Sequence, residues 1–199
     1  MTEPTTVTFP GLDDTPTVPL GVGTWAWGDS STWGMGTTDR TYSERTIGEA
    51  FDASLEAGVT LFDTAEVYGK GESERIIGRL LAARPGVRDR IVLATKFMPM
   101  PYKVDVVREL RRSIEGSLRR LGVDHVDLYQ IHGPISLRSK AALAEALAQV
   151  QRAGLTRAVG VSNYSVREMT AIHRELAARG VPLASNQIEL SLLRRTPET

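Results

Sequence analysis

The chain contains no cysteine, which excludes disulfides, thiolate catalysis and cysteine-bound zinc. Neither sign of charge is in excess: 24 lysines and arginines balance 24 acids. A dedicated nucleic-acid surface would show clustered excess Lys and Arg, so none is expected. Lysine itself is scarce, at Lys70, Lys96, Lys103 and Lys140 beside twenty arginines. No apolar run reaches the roughly 18 residues of a membrane span, and the opening stretch MTEPTTVTFPGLDD lacks the basic and apolar regions of a secretory signal. The expectation is a soluble, cytoplasmic protein with no membrane or nucleic-acid partner. Low-complexity segments and interdomain linkers are absent too, and 199 residues read as one domain, 1–199.

What the chain does have is 41% apolar residues, enough for a buried core, arranged as an alternation of short apolar runs and amphipathic stretches. The runs are 20–24, 59–62, 91–95, 126–131, 158–161 and 183–188. They recur at about the 30-residue length of a βαβ unit. Most lack polar alternation, as strands buried on both faces of a parallel sheet do. Between them, Val107, Leu110, Ile114, Leu118 and Leu121 mark one helix, and Val166, Met169, Ile172 and Leu176 another, which stops at Arg179-Gly180. Ser73, Ser139 and Ser165 are the expected N-caps of three helices. Val7-Thr8-Phe9 and Thr17-Val18 read as a small hairpin ahead of the first run. A doubly wound sheet and a (β/α)8 barrel both fit this α/β pattern.

The stretch GVGTWAWG at 21–28 formally matches the G-x-G-x-x-A fingerprint of a dinucleotide-binding βαβ unit. That fingerprint must open a helix, yet the residues after it lack helical spacing, and the next helix is expected only near Ser43. The match is therefore accidental. More telling is what ends each later run: Asp63, Lys96, His132, the pair Ser162-Asn163, and Gln187. Five successive strands deliver polar or ionisable groups at one level, where both candidate folds gather their chemistry. Groups facing one centre suit a barrel better than an open sheet. His125 and His173 read as surface residues. The chain ends Thr196-Pro197-Glu198-Thr199, a helix start with no helix after it. Six strands leave an eight-stranded barrel open, so the expectation is a TIM barrel with an N-terminal hairpin, cut after its sixth strand.

Asp63-Thr64-Ala65-Glu66-Val67-Tyr68-Gly69, Ala94-Thr95-Lys96, Val126 to His132 (VDLYQIH) and Gly160-Val161-Ser162-Asn163 together resemble the aldo-keto reductase superfamily. The resemblance runs from about residue 18 to the end. It implies a (β/α)8 barrel that reduces aldehydes and ketones with NADP(H), with Asp63, Tyr68, Lys96 and His132 as the catalytic tetrad and no metal. It further implies that Ser162, Asn163 and Gln187 hold the nicotinamide carboxamide. Gly23 and Thr24, with Asp63, would lie beside the nicotinamide end, and Trp25 and Trp27 would wall the substrate pocket with Tyr68 and His132. The chemistry is coherent. A carbonyl taking up a hydride needs a proton donor in reach, and a lysine cation beside a tyrosine is expected to lower its pKa from about 10. Asp63 would keep that lysine charged, and His132 would orient the carbonyl oxygen.

The family often has His-Trp-Pro where this chain has His132-Gly133-Pro134, which implies a wider pocket on that side. The family's aromatic that stacks on nicotinamide and its basic residues for the adenosine 2′-phosphate have no counterpart in these motifs. Weak NADPH binding is therefore expected of the chain as given. Competing readings are an inactive partial barrel, a regulatory subunit like the potassium-channel β-subunits of the superfamily, and a Schiff-base lyase using Lys96.

Overall fold

The computed structural model describes residues 5–30, 33 and 40–195. Six strands, β1 (Gly21–Gly23), β2 (Leu61–Asp63), β3 (Val92–Phe97), β4 (Val126–Ile131), β5 (Thr156–Ser162) and β6 (Leu183–Gln187), form one sheet in the order of the chain. Every neighbouring pair is parallel. Helices α1 (Arg40–Glu56), α2 (Glu72–Ala82), α3 (Val106–Leu121), α4 (Lys140–Arg152) and α5 (Val166–Ala177) alternate with them. Strictly sequential order has no switch point, so the doubly wound alternative is excluded.

The sheet is curled. In a flat sheet β2 and β6, four strand spacings apart, would be separated by about 19 Å, yet Gln187 of β6 donates to Asp63 of β2 at 3.1 Å. The outer face packs on the helices through the main core, which includes Phe51, Phe62, Ile77, Leu93, Phe97, Leu110, Ile114 and Ile131. The concave face carries a second cluster of Val92, Ala94, Leu128 and Ala158, flanked by Leu61 and Ala184. Burial on both sides explains why every residue of β3 and β4 is buried and why those strands read as unbroken apolar runs.

The expected hairpin reduces to one antiparallel bridge, Val7 with Thr17. The turn between them does a different job: Leu12, fully buried, with Phe9 beside it, plugs the concave cluster from below. At that end Asp127 accepts hydrogen bonds from Arg88 (2.8 Å), Arg157 (3.2 Å) and the Leu93 amide (2.8 Å). Arg157 also reaches Asp14 and Thr15 of the plug.

The α3 and α5 stripes lie on helices as expected. Ser139 accepts from the Ala142 amide, and Ser165 forms a full capping box with Glu168. Asp105 caps α3, which stops at Gly122 in a left-handed conformation. Ser73, however, is no cap. Gly71, at φ 86, takes the position before α2, and Ser73 lies inside the helix, fully buried. Its hydroxyl donates to the Thr24 carbonyl (2.9 Å) and meets the Thr24 (2.7 Å) and Thr64 (2.9 Å) hydroxyls. The helix expected near Ser43 begins at Arg40. The helix start announced by Thr196-Pro197-Glu198 lies outside the described residues. Among the described residues no helix is long and apolar enough to cross a membrane.

Candidate active site

The strand ends bring the four tetrad candidates together. Asp63 ends β2 and Lys96 lies one residue before the end of β3. His132 follows β4, held by its amide's bond to the Phe97 carbonyl (2.8 Å). Tyr68 opens a tight turn, Tyr68–Gly71, that leads into α2. The Lys96 ammonium is fully buried and donates to Asp63 Oδ2 (2.6 Å), the Thr64 carbonyl (2.9 Å) and the Tyr68 phenol oxygen (3.5 Å). Three protons thus meet three acceptors. On its other side the phenol oxygen lies 3.5 Å from His132 Nε2.

Burial pushes the Lys96 pKa down, and the Asp63 carboxylate works against that. Burial, then the positive charge of Lys96, lowers His132 from 6.5 to about 4, so its ring is neutral at neutral pH. The expectation that Lys96 lowers the Tyr68 pKa is overturned. Burial first, and then the Asp63 charge, raise it instead. Tyr68 is therefore protonated at neutral pH.

Around this centre the remaining candidates divide. Trp25 is 50% exposed and stacks on the Tyr68 ring (centroids 5.9 Å apart, planes at 23°), with Trp33 edge-on to it at 5.5 Å. Trp27 is 8% exposed and belongs to the main core, so the structure does not bring it to the pocket. A Cβ at Gly23 or at Gly133 would meet nothing within 4 Å, so both positions open onto free space. Thr24 departs from its expected role. It is buried, its hydroxyl and amide both bond the Asp63 carbonyl (3.0 and 2.9 Å), and its carbonyl takes Ser73. Its polar groups are spent bracing β1 against β2 and α2, and none is left for a ligand.

Ser162 is likewise turned inward, donating to the Gln187 carbonyl at 3.0 Å. The Asn163 amide reaches the same carbonyl (2.8 Å), and the Asn163 side chain donates to Ser162 Oγ (3.1 Å). Asn163, held at φ 58, and Gln187 present exposed amides at the rim. These features fit a nicotinamide cofactor: an open point at Gly23 and two exposed amide side chains fixed at the ends of β5 and β6. His125 is half-buried beside Asp124, whereas His173 is exposed.

Two contributors escaped the sequence reading. Gln130, paired in register with Lys96, crosses the concave face to donate to Ser185 Oγ (3.0 Å). It passes over Gly160, where a Cβ would come within 2.3 Å of Ser185 Oγ. Glu66 ties the Tyr68 loop to β3 and α3, accepting from the Met98 amide (2.7 Å), Lys103 (3.4 Å) and Ser113. Its place two residues before Tyr68 in a motif was the available signal.

A curled, sequential parallel sheet thus brings Asp63, Tyr68, Lys96 and His132 together at its strand ends. The sequence model of the Aldo/keto reductase family matches residues 19–199, and the chain belongs to that family. It is 38% identical over 187 residues to a chloroplastic pyridoxal reductase of Arabidopsis thaliana, covering 88% of this chain and 49% of that protein. To a 6-dehydroglucose reductase of Novosphingobium aromaticivorans it is 37% identical, covering 85% of this chain and 56% of that protein. Among solved structures, a glycerol dehydrogenase of Gluconobacter oxydans superposes with a TM-score of 0.79 at 38% identity, over 99% of this chain and 58% of that one. An aldo/keto reductase of Klebsiella pneumoniae, solved with NADP and acetate, gives 0.79 at 29% identity, over 97% and 61%. The chain spans about half the length of the curated relatives it matches.

Proposed function

We propose that this chain carries the proton-donating half of an NADPH-dependent carbonyl reductase, acting on a small aldehyde or ketone in the cytoplasm. The observation that carries the reading is the position of the Tyr68 phenol, 3.5 Å from both Lys96 Nζ and His132 Nε2, with Lys96 locked onto Asp63 at 2.6 Å. NADPH, when bound, supplies the hydride. Gly23, Asn163 and Gln187 are the residues that would receive its nicotinamide end, with Ser162 holding Asn163 in place and Asp63 holding Gln187.

The protein's own work is then the proton. A carbonyl oxygen seated between Tyr68 and His132 gains negative charge as it is reduced, and Tyr68 Oη gives it the proton. As the phenol becomes phenolate, the Lys96 ammonium, already aimed at that oxygen, stabilises the new charge without having to move. The neutral His132 ring offers Nε2 to the same oxygen and fixes its orientation. Trp25, stacked on Tyr68, forms one wall of the substrate space, and Gly133, next to His132, adds no bulk to it. The Schiff-base alternative is disfavoured because all three Lys96 protons are engaged, which leaves no free amine to attack a carbonyl.

The test follows NADPH consumption with 4-nitrobenzaldehyde by a version of the protein that spans the full length of its relatives. Tyr68→Phe is expected to lower kcat by about 10²- to 10⁴-fold, while NADPH affinity, read by fluorescence quenching, changes by no more than about twofold. A Tyr68→Phe protein that turns over at the parent rate would refute the assignment.

A further inference from the structure

Behind the Tyr68 loop, on the outer side of α3, lies a cavity of about 280 Å³ that the carbonyl chemistry does not use. Four cations, Lys103, Arg112, Arg119 and Arg120, line it against two carboxylates, Glu66 and Glu109. Glu66 is already taken by the Met98 amide, Ser113 and Lys103. Arg120 uses Nε on the buried Glu74 (2.6 Å) and Nη2 on Ser117 (3.2 Å). Its Nη1 is left over. Arg112 and Arg119 have no hydrogen-bond or ion-pair partner among the described residues.

The arrangement at Gly116 is what points to a ligand. Arg119 and Arg120, three and four residues after Gly116, both reach back over it on the face of α3. Arg120 Nη1 lies 3.2 Å, and Arg119 Nη2 3.8 Å, from the point a Cβ of Gly116 would occupy. Two guanidinium groups are thus gathered beside one bare stretch of helix, with Arg112 lining the same cavity. Gly116 itself has no conformational reason to be glycine, since it is not among the residues with positive φ. A glycine inside a helix costs about 1 kcal/mol relative to alanine, and what it gives here is room for the two heads to come close to the helix.

We propose that this cavity binds a small phosphate-bearing molecule, its oxyanion seated over Gly116 between Arg119 and Arg120, with Arg112 closing from the side. Arginine forks match phosphate oxygens two at a time. The cavity lies just below the usual size range of small-molecule sites, about 300 Å³ and up, which suits a free phosphate or a small phosphate monoester. A nucleic-acid strand would need a longer basic track, and the chain as a whole has no net charge.

Isothermal titration of the protein with inorganic phosphate, and separately with glycerol 3-phosphate, at low ionic strength tests this. Saturable one-to-one binding is expected. The double substitution Arg112→Ala with Arg119→Ala, both exposed side chains, should weaken it at least about tenfold, equivalent to about 1.4 kcal/mol. Gly116→Leu should abolish it by filling the floor without changing charge. A charge-matched control on the same helix, Arg108→Ala with Arg111→Ala, should leave the affinity within about twofold. Tighter binding of the monoester would assign the site to an esterified phosphate, and equal binding to the free ion. Absence of saturable binding, or equal loss in the control, would overturn the proposal.

Discussion

Replacing Asp63 by Asn isolates the energetics of the buried pair, independently of any turnover. The Lys96 side chain is 1% exposed, and Asp63 is its one anionic partner. With Asn at position 63 the ammonium keeps only the Thr64 carbonyl and the phenol oxygen. Removing one member of a buried pair costs about 3–5 kcal/mol. Lysine can escape by losing its proton, and at pH 7 that costs about 1.36 kcal/mol for each of the roughly 3.4 units below its free pKa, or about 4.6 kcal/mol. The two routes agree, so urea denaturation followed by circular dichroism should show Asp63→Asn less stable by about 3–5 kcal/mol at pH 7. The sign of its pH dependence follows. In the variant the folded state favours neutral Lys96 while the unfolded chain stays protonated to about pH 10.4, so the deficit shrinks as pH rises from 7 towards 10. Asp63→Asn combined with Lys96→Met should recover at least about 2 kcal/mol of the loss, since no charge is then stranded. A deficit under about 1 kcal/mol, or one that is flat with pH, would refute the reasoning.

Ser73→Ala removes a hydroxyl with three buried partners and should destabilise by about 2–4 kcal/mol, whereas loss of an exposed cap costs about 1; a value at the lower figure would restore the capping role. Asp127→Asn should cost about 2–4 kcal/mol because it leaves Arg88 and Arg157 without their shared carboxylate, a loss measurable by thermal and urea melts; a fully stable variant would contradict that. His132, held neutral down to about pH 4 against an ordinary value of 6.5, makes the unfolded chain the better proton binder in that window. Stability should therefore fall as pH drops from 6.5 to 4, by about 1–2 kcal/mol after allowing for the ring's partial exposure, and His132→Gln should remove that part of the slope.

Much of this was legible in the sequence because parallel strands buried on both faces leave contiguous apolar runs, and the runs end where the chemistry begins. Val126–Ile131 is a strand from end to end, and Asp63, Lys96 and His132 stand where those runs stop. Helix spacing and the Ser139 and Ser165 caps are local signals, and they held. What was illegible depends on partners distant in the chain. Ser73 followed by an acid reads as a cap, but its hydroxyl answers Thr24, 49 residues away. Thr24 and Trp27 lie beside a motif that suggests a pocket, yet backbone direction turns one into a brace and the other into the core. The upward shift of Tyr68 needed the fold, since it comes from burial and then from the Asp63 charge, neither of which spacing along the chain reveals.

The plug at the bottom of the sheet has a consequence for how the chain acquires its structure. Leu12 rests among residues of β3, β4 and β5, and Arg157 grips Thr15 across 142 positions. During synthesis at about 5–20 residues per second, the turn around Leu12 must therefore wait about 7–29 s for β5 to emerge. Closing so long a loop for so small a contact area makes this docking a late event. The segment around Leu12 finds its place only once β5, made long after it, is there to receive it, and until then the concave cluster stays open to water at its lower end.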